Sequence, residues 1–267
     1  MKLAIGGLGA IGLAVARAID AGVVPGIDLV AVAARDHAKA QKAIGGFKSP
    51  PRLVDLAGLA AAAEVVVEAL PAQLFGAVAA PAIERGRILM PRSVGALLDH
   101  MDLVERARTT GARILVPTGA LLGLDAVRAA AEGNIASVTM VTRKPPLGLA
   151  GAPLLVRRNI AVEGIEEPLK VFEGSAREAI AGFPANVNVA VALSLAGIGP
   201  DATRVEIWAD PTVTRNTHTI VVRSDSADLT MTIENIPSDE NPRTGRITAL
   251  STLAALRRLS EPLMVGS

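Results

Sequence analysis

Near its start the chain reads Lys2-Leu3-Ala4-Ile5-Gly6-Gly7-Leu8-Gly9-Ala10-Ile11-Gly12. The first four residues form an apolar stretch that predicts a short β-strand, and the residues after Gly12 have helical spacing. Gly7, Gly9 and Gly12 fit the pattern G-x-G-x-x-G, in which missing side chains let the backbone approach a pyrophosphate at a helix N-terminus. A second predicted strand at residues 29–33 lies at the distance of a β-α-β unit. Against the alternative of a tight turn without ligand, this setting predicts a dinucleotide site comprising Gly7, Gly9, Ala10, Ile11 and Gly12.

The end of the second predicted strand bears on which dinucleotide binds. It reads Ala33-Ala34-Arg35-Asp36. An acidic residue at this point binds the ribose 2′-hydroxyl of NAD, whereas an arginine accommodates the 2′-phosphate of NADP. Arg35 is our cofactor-binding candidate, with a solvated loop charge as the alternative, and Asp36 would favour NAD instead. Arg35 favours tolerance of NADP, and we expect both NAD and NADP to serve as cofactor.

Alternating strands and helices continue through the first half of the chain. Strands are predicted at residues 64–70, 87–90 and 112–117, and helices at 74–85 and 98–110. This alternation indicates a doubly wound parallel sheet of the Rossmann type. Beyond Ala120 several strands follow one another, at 135–142, 204–208, 217–223 and 229–234, which favours a second α+β domain built on a mixed sheet. We predict domains at 1–119 and 120–244, with a C-terminal helix in 245–267 packing back on the first.

Composition excludes several classes of function. Lys and Arg number 27 against 26 for Asp and Glu, and aromatic residues make up only 2% of the 267 residues, so nucleic-acid binding is not expected. Cysteine is absent, which rules out disulfides and thiolate metal ligands and fits a reducing, cytoplasmic location. His37 and His100 lack paired ligand spacing, so we predict no metal site.

One segment raises the question of a membrane span. Residues 179–200 carry no charge and are long enough to cross a bilayer. They include Pro184, Asn186 and Asn188, which suit a helix in a globular core better than one in lipid. We therefore predict a chain that does not enter the membrane.

The stretch from Ala209 to His218 holds the best candidate for proton transfer. His218 is one of three histidines in a chain without cysteine or tyrosine, and an imidazole changes charge near neutral pH. Taken alone, it is more simply an edge residue of the strand that follows. Asn216 would face the same side of that strand and could orient a partner. Asp210 would either fix the imidazole tautomer or cap the turn at Pro211, and we favour the cap.

The second half resembles the L-aspartate dehydrogenase family. The matching stretches are Pro117-Thr118-Gly119-Ala120-Leu121-Leu122-Gly123-Leu124-Asp125, Thr142-Arg143-Lys144-Pro145-Pro146, Phe172-Glu173-Gly174-Ser175-Ala176-Arg177-Glu178-Ala179, Phe183-Pro184-Ala185-Asn186-Val187-Asn188-Val189-Ala190, Ala209-Asp210-Pro211 with Arg215-Asn216-Thr217-His218, and Glu240-Asn241-Pro242-Arg243-Thr244. The resemblance implies that His218 acts in the active site and that Ala120 and Asn188 contact the nicotinamide cofactor. It further implies a homodimer formed through the second-domain sheet.

The same resemblance implies oxidation of L-aspartate to iminoaspartate, which supplies NAD biosynthesis or hydrolyses to oxaloacetate and ammonia. A dicarboxylate needs cations, and Arg243, followed by Thr244, could grip one carboxylate while Lys144 holds the other. Surface loop charges are the alternative for both cations. His218 would take a proton from the substrate ammonium or activate the attacking water. Two other functions stay open: a homoserine- or dihydrodipicolinate-type oxidoreductase, and a non-catalytic NAD(P)-sensing protein.

Overall fold

The computed structural model describes residues 1–184, 187–238 and 245–266. It divides into two compact units. The first comprises Met1–Pro117 and Thr248–Met264, and the second comprises Thr118–Ile247 and Val265–Ser267.

The first unit is built on a six-stranded parallel sheet. Its strands are β1 (Lys2–Gly6), β2 (Asp28–Ala33), β3 (Arg52–Leu53), β4 (Val65–Glu68), β5 (Ile88–Pro91) and β6 (Arg113–Ile114). They lie in the order β3-β2-β1-β4-β5-β6, and each neighbouring pair is parallel. The order reverses between β1 and β4, which is where ligands bind in doubly wound sheets. The predicted Rossmann-type sheet is confirmed.

Helices of this unit connect successive strands. They are α1 (Ala10–Asp20), α2 (His37–Ile44), α3 (Leu56–Ala62), α4 (Phe75–Glu84) and α5 (Asp102–Thr110). The core is aliphatic: Val15 and Ile19 of α1 pack with Leu3 and Ile5 of β1. A helix from the end of the chain, α10 (Ile247–Ser260), adds Leu256 to the same core.

Two predictions for this unit were inaccurate. The helix predicted at 98–110 begins only at Asp102, because Val94–His100 forms a 3-10 helix instead. The strand predicted at 112–117 is shorter, since β6 comprises only Arg113–Ile114. The helix predicted at 74–85 agrees with α4 to one residue at each end.

The second unit is built on a five-stranded mixed sheet. Its strands are β7 (Ile135–Lys144), β8 (Leu169–Ser175), β9 (Arg204–Ala209), β10 (Asn216–Ser224) and β11 (Asp228–Asn235). They lie in the order β11-β10-β7-β9-β8, with β7 and β9 parallel and the other pairs antiparallel. The predicted α+β architecture on a mixed sheet is confirmed.

Helices cover one face of the mixed sheet. They are α6 (Leu124–Ala131), α7 (Pro153–Arg157), α8 (Ala176–Gly182) and α9 (Asn188–Ala196). Val127 and Leu193 from these helices share a buried cluster with Val138, Met140 and Ile220 from the strands. This face of the sheet is therefore the core of the unit.

The uncharged stretch at residues 179–200 does not form one helix. α8 ends at Gly182 and α9 begins at Asn188, so the stretch contains the end of one helix and the whole of another. Within the ranges described, none of the helices has the length and apolar character needed to cross a bilayer.

Strand β7 is longer than the sequence pattern predicts. It extends through Lys144, two residues beyond the predicted end at residue 142. Lys144 therefore lies in the sheet rather than in a surface loop, and it is only 4% exposed.

Candidate active site

The glycine loop follows β1 and is held against both neighbouring strands. Gly7 N donates to Ala33 O at 2.8 Å, and Ala69 N donates to Gly6 O at 2.7 Å. Gly7 has φ +95°, and a Cβ there would lie 2.3 Å from Ala69 O. A Cβ on Gly12 would lie 1.9 Å from Gly7 O. Two of the three motif glycines are thus required by the protein's own packing.

Gly9 is different, because no described neighbour requires it to be glycine. Its φ of −74° is open to any residue, and an added Cβ would meet no atom of the described residues within 4 Å. Gly9 precedes α1, whose N-terminus has no side-chain cap and no acidic residue in its first turn. Open space beside uncapped helical N–H groups suits a pyrophosphate. The loop therefore fits a dinucleotide, with Ala10 and Ile11 supplying the first helical residues.

The end of β2 separates the two candidates for ribose recognition. Asp36 caps α2 by accepting a hydrogen bond from Lys39 N at 2.9 Å. Arg35 is exposed and has no hydrogen bond or ion pair to the described part of the chain. Because Asp36 already has a structural role, Arg35 is the residue available to meet a 2′-phosphate.

A buried carboxylate ends β4 at the same edge of the sheet. Glu68 accepts hydrogen bonds from Leu70 N at 2.8 Å, from Ser93 N at 3.0 Å and from the Ser93 hydroxyl at 3.1 Å. Burial raises the pKa of Glu68 although these donors act in the opposite direction. Arg92 lies beside it, and burial lowers the pKa of its guanidinium to about 10. This cluster was not predicted, because its signal in the sequence is only an acidic residue at the end of an all-valine strand.

The mixed sheet of the second unit places His218 deep in its inner face. His218 on β10 pairs with Thr142 on β7, and its Nδ1 lies 3.1 Å from the Thr142 hydroxyl oxygen. The imidazole is 3% exposed. Burial lowers its pKa to about 3, and the charge of Lys144 acts in the same direction. His218 is therefore neutral at physiological pH, which is the state that accepts a proton.

Lys144 faces the same side of the sheet as Thr142, because alternate residues of a strand share a face. Burial lowers the pKa of its ammonium to about 8. Lys144 is therefore mostly charged at pH 7, and an incoming anion would stabilise this buried charge further. The structure thus brings Lys144 and His218 together, as a cation beside a base.

Asp210 does not act on His218. Its Oδ1 accepts from Thr212 N at 2.9 Å and from the Thr212 hydroxyl at 2.6 Å, and its Oδ2 accepts from Arg143 Nη1 at 2.8 Å. Burial alone would raise the pKa of Asp210, but these hydrogen bonds outweigh it and lower the pKa. The favoured interpretation, a turn cap, agrees with this geometry.

Asn216 and Ala120 lie near His218 through the sheet register. Asn216 is two residues before His218 and pairs with Asn235 on β11. Asn235 in turn donates from Nδ2 to Ala120 O at 3.1 Å. Asn188 is the first residue of α9 in the same unit. Thr142 and Asn235 were not predicted as site residues, because a threonine and an asparagine at strand positions carry no signal until the strand pairing is known.

Two predicted substrate-binding residues and one asparagine lie outside the residues that the structure describes. Arg243 and Thr244 lie outside the described residues, and so does Asn186 of the asparagine motif. Among the residues that are described, no three His, Asp or Glu side chains are grouped so as to hold a metal ion.

Comparison with known proteins covers both units. A family model described as "Homoserine dehydrogenase, NAD binding domain" matches residues 7–117, and one described as "Aspartate dehydrogenase, C-terminal" matches residues 125–259. The L-aspartate dehydrogenase of Bradyrhizobium diazoefficiens is 57% identical, over 100% of this chain and 94% of that protein. L-aspartate dehydrogenase 3 of Bordetella bronchiseptica is 54% identical, over 100% and 98% respectively.

The chain belongs to the L-aspartate dehydrogenase family. The resemblance seen in the sequence is thereby confirmed, as are the oxidoreductase class and the cofactor class, NAD or NADP. The crystal structure of aspartate dehydrogenase from Thermotoga maritima has the same fold as this chain. The two superpose with a TM-score of 0.78 at 23% identity, over 100% of this chain and 99% of that one.

Proposed function

We propose that the protein is an NAD(P)-dependent L-aspartate dehydrogenase that converts L-aspartate through iminoaspartate to oxaloacetate and ammonia. Full-length identity of 57% to an L-aspartate dehydrogenase is the observation that carries this proposal. The second unit supports it independently, since a neutral imidazole lies beside a buried lysine. These are the two groups that a reaction on an anionic amino acid requires: a base and a carboxylate-binding cation.

His218 is proposed as the catalytic base. It takes a proton from the substrate ammonium, and the nitrogen lone pair then forms the C=N bond as the hydrogen on Cα leaves with its electron pair. A bound nicotinamide cofactor would supply the acceptor for that hydride. Thr142 holds the imidazole ring through Nδ1. Substrate carboxylates beside Lys144 would offset its charge, which is the second cause of the low pKa of His218, and so make the imidazole more basic.

The other site residues stay predictions with defined roles. Lys144 would bind one substrate carboxylate, and Arg243 with Thr244 would bind the other. Asn216 would orient the substrate or the imidazole from its place on β10. Ala120 and Asn188 would contact the nicotinamide half of the cofactor, while the glycine loop and Arg35 would bind the phosphates.

The two alternative functions make different demands. A homoserine-type enzyme has one carboxylate to bind rather than two, and a non-catalytic sensor has no use for a buried base. We expect reduction of NAD or NADP with L-aspartate and none with L-homoserine, followed through nicotinamide absorbance. Turnover of homoserine but not of aspartate would show that the protein is a homoserine-type oxidoreductase instead. Tight cofactor binding without reduction by any amino acid would identify a sensor.

The lowered pKa of Lys144 predicts a specific pH dependence. Succinate, a dicarboxylate without an amino group, should bind the enzyme–NAD complex more weakly above pH 8, because the ammonium loses its proton near that pH. The dissociation constant should rise up to about tenfold per pH unit beyond the pKa. Titration calorimetry at about pH 6.5–9.5, a range that brackets the pKa of Lys144, measures the dissociation constant of succinate. Lys144→Arg should bind succinate without this rise, and an unchanged rise in that variant would exclude Lys144.

Assembly, location and metabolic role are further proposals. The outer face of the mixed sheet carries partly exposed side chains such as Val141, Thr219 and Val221, and we propose that it forms a homodimer. Light scattering on Val221→Asp against the parent protein tests this, with a monomer as the expected result. A cytoplasmic location accords with the absence of cysteine. Iminoaspartate released before hydrolysis would serve NAD biosynthesis.

A further inference from the structure

Asn235 lies in the polar end of the inner sheet face. It is the last residue of β11, is 4% exposed, and pairs with Asn216 on β10. His218, two residues further along β10, pairs with Thr142 on β7. Residues paired across antiparallel strands share a face, and so do alternate residues of one strand. Asn235 therefore belongs to the same group of side chains as His218 and Lys144.

The orientation of the Asn235 amide is fixed by its own hydrogen bond. Nδ2 donates to the carbonyl oxygen of Ala120 at 3.1 Å. A carbonyl oxygen can only accept, so the amide cannot be turned over without losing this bond. The segment that receives it is itself packed on β11, since a Cβ on Gly123 would lie 2.2 Å from Met231 Sδ. The amide is thus held at Nδ2, and its Oδ1 lies against Gly245, where an added Cβ would be 2.8 Å away.

The other end of the amide has no hydrogen-bond partner among the described residues. Asn235 Oδ1 is buried and accepts no hydrogen bond, one of three such side-chain atoms in the described part of the chain. Buried acceptors are nearly always paired, so an unpaired one in a functional site points to a missing donor. The imidazole Nδ1 of His218 is already engaged with Thr142.

The missing partner must carry an N–H or O–H group. The two carboxylates of an aspartate have none, whereas its α-ammonium has three donors and no acceptor. We propose that Asn235 Oδ1 accepts a hydrogen bond from the α-amino group of the substrate, which makes Asn235 the residue that selects an amine. This rests on the proposed function. Two acceptors, Oδ1 and the imidazole, then hold the nitrogen so that its proton faces His218.

The test compares two ligands that differ only in the amino group. In Asn235→Ala, kcat/KM for L-aspartate should fall roughly 10–100-fold, the value of a hydrogen bond to a charged group. The inhibition constant of succinate, which lacks the amine, should stay within about threefold of the parent value. Glu132→Ala, at the exposed C-terminal end of α6 in the same unit, is the control and should change neither constant.

A second variant guards against misfolding. Asn235→Asp keeps an acceptor for the substrate ammonium but loses the donor to Ala120 O. Both ligands should therefore bind more weakly, while the preference for aspartate over succinate should be at least that of the parent. Equal losses for aspartate and succinate in both variants would show a structural role, including pairing of Oδ1 within the protein, and would overturn the proposal. Unchanged aspartate kinetics in Asn235→Ala would overturn it as well. If the parent protein shows no aspartate-dependent reduction, the proposed function itself has failed.

Discussion

Replacing His218 by alanine should lower the turnover of L-aspartate by about 10²–10⁴-fold, the usual contribution of a general base. The imidazole is neutral at physiological pH and is buried beside Lys144. Its loss therefore removes the proposed proton acceptor from the inner face of the sheet. Affinity for NAD should stay within about twofold, because the glycine loop belongs to the other unit. Steady-state kinetics and fluorescence titration of the nicotinamide measure the two effects.

The matched control for that variant is His37→Ala. His37 is an exposed first residue of α2, and its removal should leave kcat and KM unchanged. Turnover by His218→Ala at the parent rate would remove His218 from the catalytic role. A loss of cofactor affinity equal to the loss of rate would instead indicate a general disturbance of the protein.

Replacing Gly9 by valine should weaken NAD binding by at least about 100-fold, since several charge-assisted hydrogen bonds to the pyrophosphate would be blocked. The thermal midpoint should change little, because φ at Gly9 suits any residue and an added Cβ meets no protein atom within 4 Å. Calorimetric titration with NAD and thermal unfolding without it separate the two quantities.

Two further glycines serve as controls for Gly9. Gly46 also has open space around its Cβ position, and Gly46→Val should keep the parent affinity for NAD. Gly12→Val should destabilise the protein itself, because its Cβ would lie 1.9 Å from Gly7 O. If Gly9→Val bound NAD as the parent does, the pyrophosphate would not lie at this helix N-terminus.

The fold could be predicted from the sequence wherever local patterns carry it. The glycine loop, with the strand and helix that flank it, predicted the parallel sheet. The run of strands after Ala120 predicted the mixed sheet. Short elements were missed, among them β3 with two residues and α3 with its alanine-rich sequence, because neither is long enough to show a period. The 3-10 helix at Val94–His100 has helical composition, and only its packing distinguishes it from an α-helix.

The candidate site could be predicted only in part, because residue types are visible in the sequence and strand pairing is not. His218 and Lys144 were found by residue type, but their proximity depends on the pairing of β7 with β10 across 76 positions of sequence. Thr142 and Asn235 are ordinary strand residues until that register is known. The low pKa of His218 likewise could not be foreseen, because it comes from burial and from a lysine that the sequence placed in a loop.

Isotope transfer tests the central claim most directly. L-Aspartate carrying deuterium on Cα should pass that deuterium to the nicotinamide ring, so that the reduced cofactor isolated from the reaction is labelled at C4. Mass spectrometry of the cofactor gives the result, with NAD and NADP tested separately. If the protein is an L-aspartate dehydrogenase, the reduced cofactor should carry the label. Reduced cofactor without the label, or no reduction in the presence of L-aspartate, would contradict it.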